Sequence, residues 1–298
     1  MLVSVVANGS LLTPEHCDTT LPWWSFTKTV LAAAALTLVR DGLVELDHSV
    51  AEGPFSLRQL LRHEAGLADY AELADYHTAV AGHETPWPVE DMLRRLDASR
   101  LRYAPGDGWR YSNVGYLFVA RLIERTTGLS LEEALNQRIF TPLGLSRVHL
   151  AKTRADLANT NMGNAAGYHP GWVYHGLLVG PLAQAARCLD RLLAGDLLPP
   201  ALLLEMQTTR ALGGPIAGRP WTAPGYGLGL MQGAVENGLT LSGHTGGGPG
   251  STLAVYRCVQ GNHSACCAVF AESDFVGAVE TEAVRRLGSI CASWRQKG

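Results

Sequence analysis

The stretch from Ser25 to Arg40 constrains this chain most. It reads Ser-Phe-Thr-Lys and continues Thr29-Val-Leu-Ala-Ala-Ala-Ala-Leu-Thr-Leu-Val-Arg40. Taken as a helix beginning near Ser25 and ending at Asp41-Gly42, where glycine suits a left-handed C-cap, it is apolar enough to demand burial. The run Val30 to Val39 is far short of the roughly 20 residues a membrane span needs, so the helix belongs inside a protein. The three-residue spacing sets Ser25 and Lys28 on one face, one turn apart. A serine hydroxyl attacks a carbonyl only when a neighbouring base takes its proton. Lysine is that base only when neutral, which asks its pKa to fall from about 10.4 by roughly three units, about 4 kcal/mol, through burial or nearby positive charge. The unpaired N–H groups of the helix N-terminus beneath Ser25 suit a developing negative charge.

Ser-x-x-Lys is a short pattern, and its weight depends on what surrounds it. Lysine is scarce: only Lys28, Lys152 and Lys297 occur. At 298 residues with 47% hydrophobic and 17% charged content, the chain can bury a large core and does not read as disordered. A net charge of −3 and no basic run argue against nucleic acid or an anionic membrane as partner. No basic segment followed by an apolar one opens the chain, so the expectation is a cytoplasmic protein, or a periplasmic one from which a leader was removed. The six cysteines, Cys17, Cys188, Cys258, Cys266, Cys267 and Cys291, fit neither a zinc pattern nor a disulfide framework and are expected as buried free thiols. No histidine pair has ligand spacing, so no metal and no cofactor are expected.

Along the chain, Leu2 to Leu12 predicts a strand or hairpin around Asn8-Gly9. Trp23-Trp24 precede Ser25, as core anchors or as substrate contacts. Ser56 to Arg62 reads as a helical turn, Asp69 to Glu90 as a loop or small insertion walling a pocket, and Val89 to Leu101 as a helix. Tyr116 to Thr127 is a helix closed by Gly128, and Ser130-Leu-Glu-Glu133 opens another with a capping box. Residues 151–180 read as irregular chain. Helices follow over Pro181 to Leu193 and from Pro199-Pro200 to Met206. Tyr226 to Leu230, Leu239 to Ser242, Leu253 to Tyr256 and Ala265 to Phe270 predict antiparallel strands, and a helix from Thr281 closes the chain with Val284 and Leu287 facing the sheet. The pattern predicts an α/β fold: an antiparallel sheet flanked by helices with an inserted all-helical region. It is read as a single unit over 1–298, its sheet part about 1–50 and 215–298 and its helical part about 51–214.

Three elements stand in order: Ser25-x-x-Lys28, Tyr111-Ser112-Asn113 and His244-Thr245-Gly246. With Arg40 to Asp47, Leu60-Leu-Arg-His-Glu-Ala-Gly-Leu67, Tyr111 to Gly128 and Pro142-Leu-Gly-Leu145, the chain resembles the serine β-lactamase and penicillin-binding protein superfamily from about Pro22 to Tyr256. Its class C β-lactamase, DD-peptidase and esterase branch fits best; Tyr-x-Asn stands here where class A enzymes carry Ser-Asp-Asn. The resemblance implies Ser25 as acylated nucleophile. It implies that Lys28 and Tyr111 share the proton work, either being the base. Asn113 is then expected to hold the substrate amide and Lys28, with His244, Thr245 and Gly246 also contacting substrate. The N–H groups of Ser25 and Gly247 would form the oxyanion hole.

The chain departs from the family's pattern in places. His244 stands where many relatives carry lysine, so grip on a substrate carboxylate is expected to be weaker or pH-dependent. His63-Glu64-Ala65 replaces His-Thr-Ser, and His63 is read as structural. Only 24 residues precede Ser25, so the first helix and part of the sheet edge are expected to be missing or supplied by another chain. The expected function is hydrolysis of a small ester or amide through an acyl-enzyme. D-amino-acid peptide hydrolysis, as a DD-carboxypeptidase, or weak β-lactam hydrolysis is the alternative. From a different class, a non-catalytic relative would use the same cleft to bind its ligand. The expected partner is a small ester, amide or peptide, with oligomeric state left open.

Overall fold

The computed structural model describes residues 1–13, 18–163, 165 and 167–296. The strands are β1 (Leu2–Ala7), β2 (Ser10–Leu11), β3 (Thr20–Pro22), β4 (His149–Ala151), β5 (Leu177–Pro181), β6 (Arg210–Ala211), β7 (Trp221–Tyr226), β8 (Met231–Val235), β9 (Thr240–Gly248), β10 (Ser251–Gln260) and β11 (His263–Ala271). The helices are α1 (Thr27–Arg40), α2 (Leu57–Leu61), α3 (Ala74–Ala81), α4 (Val89–Arg95), α5 (Asn113–Thr127), α6 (Leu131–Leu135), α7 (Leu182–Ala194), α8 (Pro200–Gln207) and α9 (Val276–Arg295). An eight-stranded antiparallel sheet runs β2-β1-β11-β10-β9-β8-β7-β6, and β3-β5-β4 form a smaller one.

Side-chain alternation explains the layers. On β10, Leu253 and Val255 enter the large core shared with α1, α5 and α7, while Ala254, Tyr256 and Cys258 face α9. On β11 the same parity sends Cys266 to the first core and Cys267 to the second, so these neighbours in sequence lie on opposite faces. Both faces are covered, and both strands therefore read as continuous apolar runs. The thiols of Cys188, Cys258, Cys266, Cys267 and Cys291 are free and buried; Cys17 lies outside the described residues. Helix α1 is buried from Thr27 to Leu38, as its all-round apolar sequence requires, and it carries Lys28 into the interior.

The sheet-and-helix architecture is the expected one, with several local differences. The helix does not begin at Ser25: Trp24–Phe26 is a 3-10 turn and α1 starts at Thr27. Trp24 sits at φ +42, a left-handed value outside any α-helix and costly for a bulky side chain. Its indole is held in place by a bond from Nε1 to Ser251 Oγ at 3.0 Å. The segment Asp69 to Glu90 is not all loop, since it contains a 3-10 turn at Tyr70–Glu72 and α3; only Ala79 of α3 is buried, so no apolar stripe announces it.

Residues 151–180 include the start of β5, the centre of the smaller sheet, every residue of which is buried. Of the run Tyr226 to Leu230 only Tyr226 is strand, the last residue of β7; Gly227 to Leu230 form the β7–β8 connection. Gly229 turns there at φ +75, and a Cβ on it would lie 2.4 Å from that of Ala32, because α1 passes directly beneath. The last helix starts at Val276, before Thr281. The edge beside β11 is filled by the chain's own β1, with six residues in register from Leu2↔Phe270 to Ala7↔Ala265. Among the described residues no helix is long and apolar enough to cross a membrane.

Candidate active site

The strained turn before α1 presents Ser25, and the first turn of the helix presents Lys28 beside it, with Nζ 3.2 Å from Ser25 Oγ. Lys28 also donates to Asn113 Oδ1 at 2.7 Å and lies 3.0 Å from His175 Nε2. The side chain is fully buried, and that burial brings its pKa down to about 7, partly opposed by the charge of Asp69. Near neutrality the amine is therefore available in its base form.

Asn113 opens α5, whose N-cap is Ser112. The Ser112 hydroxyl accepts from Gly115 N–H and donates to Ala68 O at 2.8 Å, tying the helix start to the segment that carries Asp69. Asn113 Nδ2 donates to both oxygens of Asp69 at 3.0 and 3.1 Å. A carboxylate only accepts, so it fixes which way the amide faces and leaves Oδ1 for Lys28. Asp69 also caps the 3-10 turn at Tyr70, accepting from Ala71 N–H. Burial raises its pKa, opposed by the bonds from Asn113 and Ala71.

The Tyr111 ring lies beneath the amine, 5.1 Å from Lys28 Nζ to its centroid. Burial pushes the phenol well above its ordinary pKa, with a hydrogen bond to Ser25 opposing. Between these two candidates for the base, the environment of Lys28 favours a neutral amine and that of Tyr111 disfavours a phenolate.

His63 and His244 belong to a proton-ordered chain behind Tyr111. The backbone N–H of Ser112 donates to His63 Nδ1 at 3.1 Å, which places the His63 proton on Nε2, 3.1 Å from the Tyr226 hydroxyl. That hydroxyl lies 2.9 Å from His244 Nε2, and His244 Nδ1 lies 2.7 Å from the carbonyl of Thr245. A backbone donor at one end and a backbone acceptor at the other set the direction of every bond between them. Both imidazoles are neutral: burial holds His244 down to about 3 and His63 well below its usual range, with the charge of Lys28 adding to each.

The side chains of His244 and Thr245 both carry internal bonds. Both ring nitrogens of His244 are bonded internally and burial holds its pKa far below neutrality, while the residue borders the cleft beside Tyr111. The side chain of Thr245 is also occupied: Oγ1 bonds Glu280 Oε1 at 2.5 Å and the Tyr256 hydroxyl at 2.7 Å, and Glu280 accepts from Arg219 Nε at 2.7 Å. Strand alternation turns Thr245 away from His244, toward α9.

Gly246 lies against the turn that carries Ser25, where a Cβ would come within 2.5 Å of Ser25 N and 2.6 Å of Trp24 Cβ. Its contribution is to let β9 approach Ser25. Ser25 and Gly247 border two clefts at once. One, about 430 Å³, is walled by Trp24, Tyr70, Tyr76, Tyr168 and His175. The other, about 570 Å³, is walled by Trp109, Tyr111, Ile216, Arg219 and Tyr226. Trp23 is wholly core, whereas Trp24 is both buried and part of a cleft wall.

Sequence reasoning missed Asp69, His175 and Tyr226. Asp69 stood at the edge of a presumed loop and Tyr226 in a presumed strand. The one local signal for His175 is a lone histidine inside the apolar run Val173-Tyr-His-Gly-Leu-Leu-Val179. Among the described residues no group of three or more histidine, cysteine or acidic side chains is placed to hold a metal.

Comparison with known proteins adds the following. A family model described as Beta-lactamase matches residues 1–271. A D-aminopeptidase of Brucella anthropi is 28% identical over 262 residues, covering 83% of this chain and 48% of that protein. A lovastatin esterase of Penicillium rubens is 29% identical over 164 residues, 45% of this chain and 40% of that one. The chain thus spans about half the length, or less, of these curated relatives. The crystal structure of a D-amino acid amidase from Ochrobactrum anthropi SV3 superposes with a TM-score of 0.78 over 98% of this chain and 94% of that one, at 22% identity, a likeness of fold.

Proposed function

The chain belongs to the β-lactamase family, and from that premise we propose that it is a serine hydrolase forming an acyl-enzyme at Ser25 with a small ester or amide. The observation that carries the reading is the contact of Lys28 Nζ with Ser25 Oγ at 3.2 Å inside a buried site that keeps the amine near neutrality.

In the proposed cycle, Lys28 takes the hydroxyl proton as Ser25 Oγ bonds the carbonyl carbon. The carbonyl electron pair moves onto oxygen, facing the N–H groups of Ser25 and Gly247, at roughly 3 kcal/mol per donor. Collapse re-forms the carbonyl and breaks the bond to the leaving group, which receives the proton from Lys28 through the Tyr111 hydroxyl. Water then attacks the acyl carbon with Lys28 again as base; collapse breaks the acyl–Oγ bond, Lys28 returns the proton to Ser25 Oγ, and the carboxylic acid product leaves. The raised pKa of Tyr111 supports a relay role in preference to a resting phenolate. The substrate lies across Ser25, acyl part in one cleft and leaving group in the other. In this reading residues 1–298 act as one unit, the sheet part about 1–50 and 215–298 and the helical part about 51–214.

Esters are the first choice of substrate, because His244 offers no charge and Arg219 is already paired with Glu280. A D-amino-acid amide or peptide is the second reading, favoured by the D-aminopeptidase that aligns with most of the chain. Turnover of p-nitrophenyl butyrate against D-alanine p-nitroanilide separates them. The ester should be preferred, and Ser25→Ala and Lys28→Ala should abolish both activities. Activity that survives Ser25→Ala would refute the assignment.

A further inference from the structure

His175 stands at the start of the run into β5, buried, in contact with the catalytic lysine and part of the cleft wall beside Trp24. Its bond to Lys28 has no part in the catalytic cycle proposed above. We propose that His175 is a positioning residue: its Nε2 accepts one N–H of neutral Lys28, and with Asn113 Oδ1 it aims the amine's lone pair at the Ser25 hydroxyl.

A neutral amine has two N–H bonds and one lone pair, in fixed tetrahedral relation. Three heavy atoms surround Lys28 Nζ: Asn113 Oδ1 at 2.7 Å, His175 Nε2 at 3.0 Å and Ser25 Oγ at 3.2 Å. Asn113 Oδ1 only accepts, and its orientation is locked by Asp69. If Nε2 also accepts, both N–H bonds are committed and the lone pair has one direction left, toward Ser25. When the Ser25 O–H bond breaks and the third N–H forms, the resulting ammonium keeps all three partners without moving. With Asn113 alone the second N–H and the lone pair could exchange places, and the lone pair would have no assigned target.

The assignment also fixes the tautomer of His175. Nε2 is the bare nitrogen and Nδ1 carries the proton; Nδ1 is buried with no hydrogen-bond partner in the protein. With no partner at Nδ1 to select the tautomer, the contact of Nε2 with Lys28 is the one bond that sets it. Burial keeps the imidazole neutral, reinforced by the charge of Lys28. The other titratable groups facing this pair are Asp69, Tyr111 and Tyr116 from the side of α5 and its approach, His63 after α2, and His244 on β9.

The inference rests on the hydrolase reading, and its test is built to fail separately. Nitrogen-15 NMR of the wild-type protein, with the His175 signal assigned by its loss in His175→Gln, reads the tautomer directly. A proton on Nδ1 from pH 6 to 9 is expected; a proton on Nε2 overturns the proposal, whatever the activity. With the p-nitrophenyl ester, His175→Leu should lower kcat roughly ten- to a hundred-fold with KM little changed, as expected for a misaimed base. Because an acceptor favours the ammonium, its loss should also move the acidic limb of the kcat/KM profile to lower pH. His175→Gln, whose side-chain oxygen reaches the place of Nε2, should restore most of both. Loss of activity with an unmoved limb and no rescue by glutamine marks a packing role and refutes the idea, as does full activity in the leucine variant. If His175→Leu does not fold, the tautomer and the glutamine variant decide. Absence of any turnover by wild type removes the hydrolase reading while the tautomer still decides the contact.

Discussion

Replacing Asp69 by asparagine should lower the pH at which this protein becomes active. Asp69 reaches Lys28 through a single amide: both its oxygens accept from Asn113 Nδ2, and Asn113 Oδ1 takes a bond from Lys28 Nζ. Its charge opposes the burial that brings the Lys28 pKa down to about 7. Two unit charges separated by one amide, roughly 6 Å, attract with about 3 kcal/mol at an effective dielectric near 20. That is about two pKa units, and residual solvent around Asp69 reduces it to one to two. Asparagine keeps the shape and an acceptor for Asn113 while deleting the charge. If neutral Lys28 is the base, the acidic limb of kcat/KM for a p-nitrophenyl ester lies near pH 7 in wild type and falls by one to two units in Asp69→Asn. The assay is a pH-rate profile with background hydrolysis subtracted at each pH. A limb that stays in place, or rises, would refute the electrostatic reasoning and the role of Lys28 as base.

Stability should respond to the same lysine. Its folded pKa is depressed from 10.5 to about 7, so between those values the native state binds fewer protons than the unfolded chain. Wild type should therefore gain on Lys28→Met by about 1.4 kcal/mol per pH unit from pH 7 upward, the gain complete above 10.5 and lost as pH falls to 7. Urea titrations at several pH values measure this, and a pH-independent difference contradicts it. Gly246→Ala should keep the fold yet cost about a hundred-fold in kcat/KM, because the new methyl group enters the space of Ser25 N; near-normal activity would show that β9 need not approach the nucleophile so closely. Asp190→Ala should destabilise by about 3–5 kcal/mol, since it strands Arg257, bonded at 2.9 Å and largely buried between α7 and β10. Thermal or urea unfolding that shifts by less than 1 kcal/mol would mark the pair as solvent-screened.

What the sequence disclosed follows the range of the interactions. Ser25 and Lys28 are joined by local spacing, and Asn113 opens a helix whose apolar periodicity and serine cap are both local signals. Strands β10 and β11 are covered on both faces and so declare themselves by composition. Asp69, His175 and Tyr226 act through partners 44, 147 and 163 positions away, and nothing near them in the chain announces those contacts. His244 and Thr245 are an intermediate case. The alternation of a strand already sends neighbouring side chains to opposite faces, yet both residues border the cleft beside Tyr111, and only the folded chain shows that their side chains also carry internal bonds. The 3-10 turn at Ser25 was hidden because it depends on the left-handed backbone of Trp24, which only packing against β9 and Ser251 explains.

Everything in this account turns on Ser25 becoming acylated with Lys28 as its base. Intact-protein mass spectrometry after brief exposure to a fluorophosphonate at pH 8 measures that directly. One adduct per chain is predicted, located at Ser25, absent in Ser25→Ala and strongly slowed in Lys28→Ala. An unlabelled wild-type protein, or an adduct elsewhere on the chain, would contradict it.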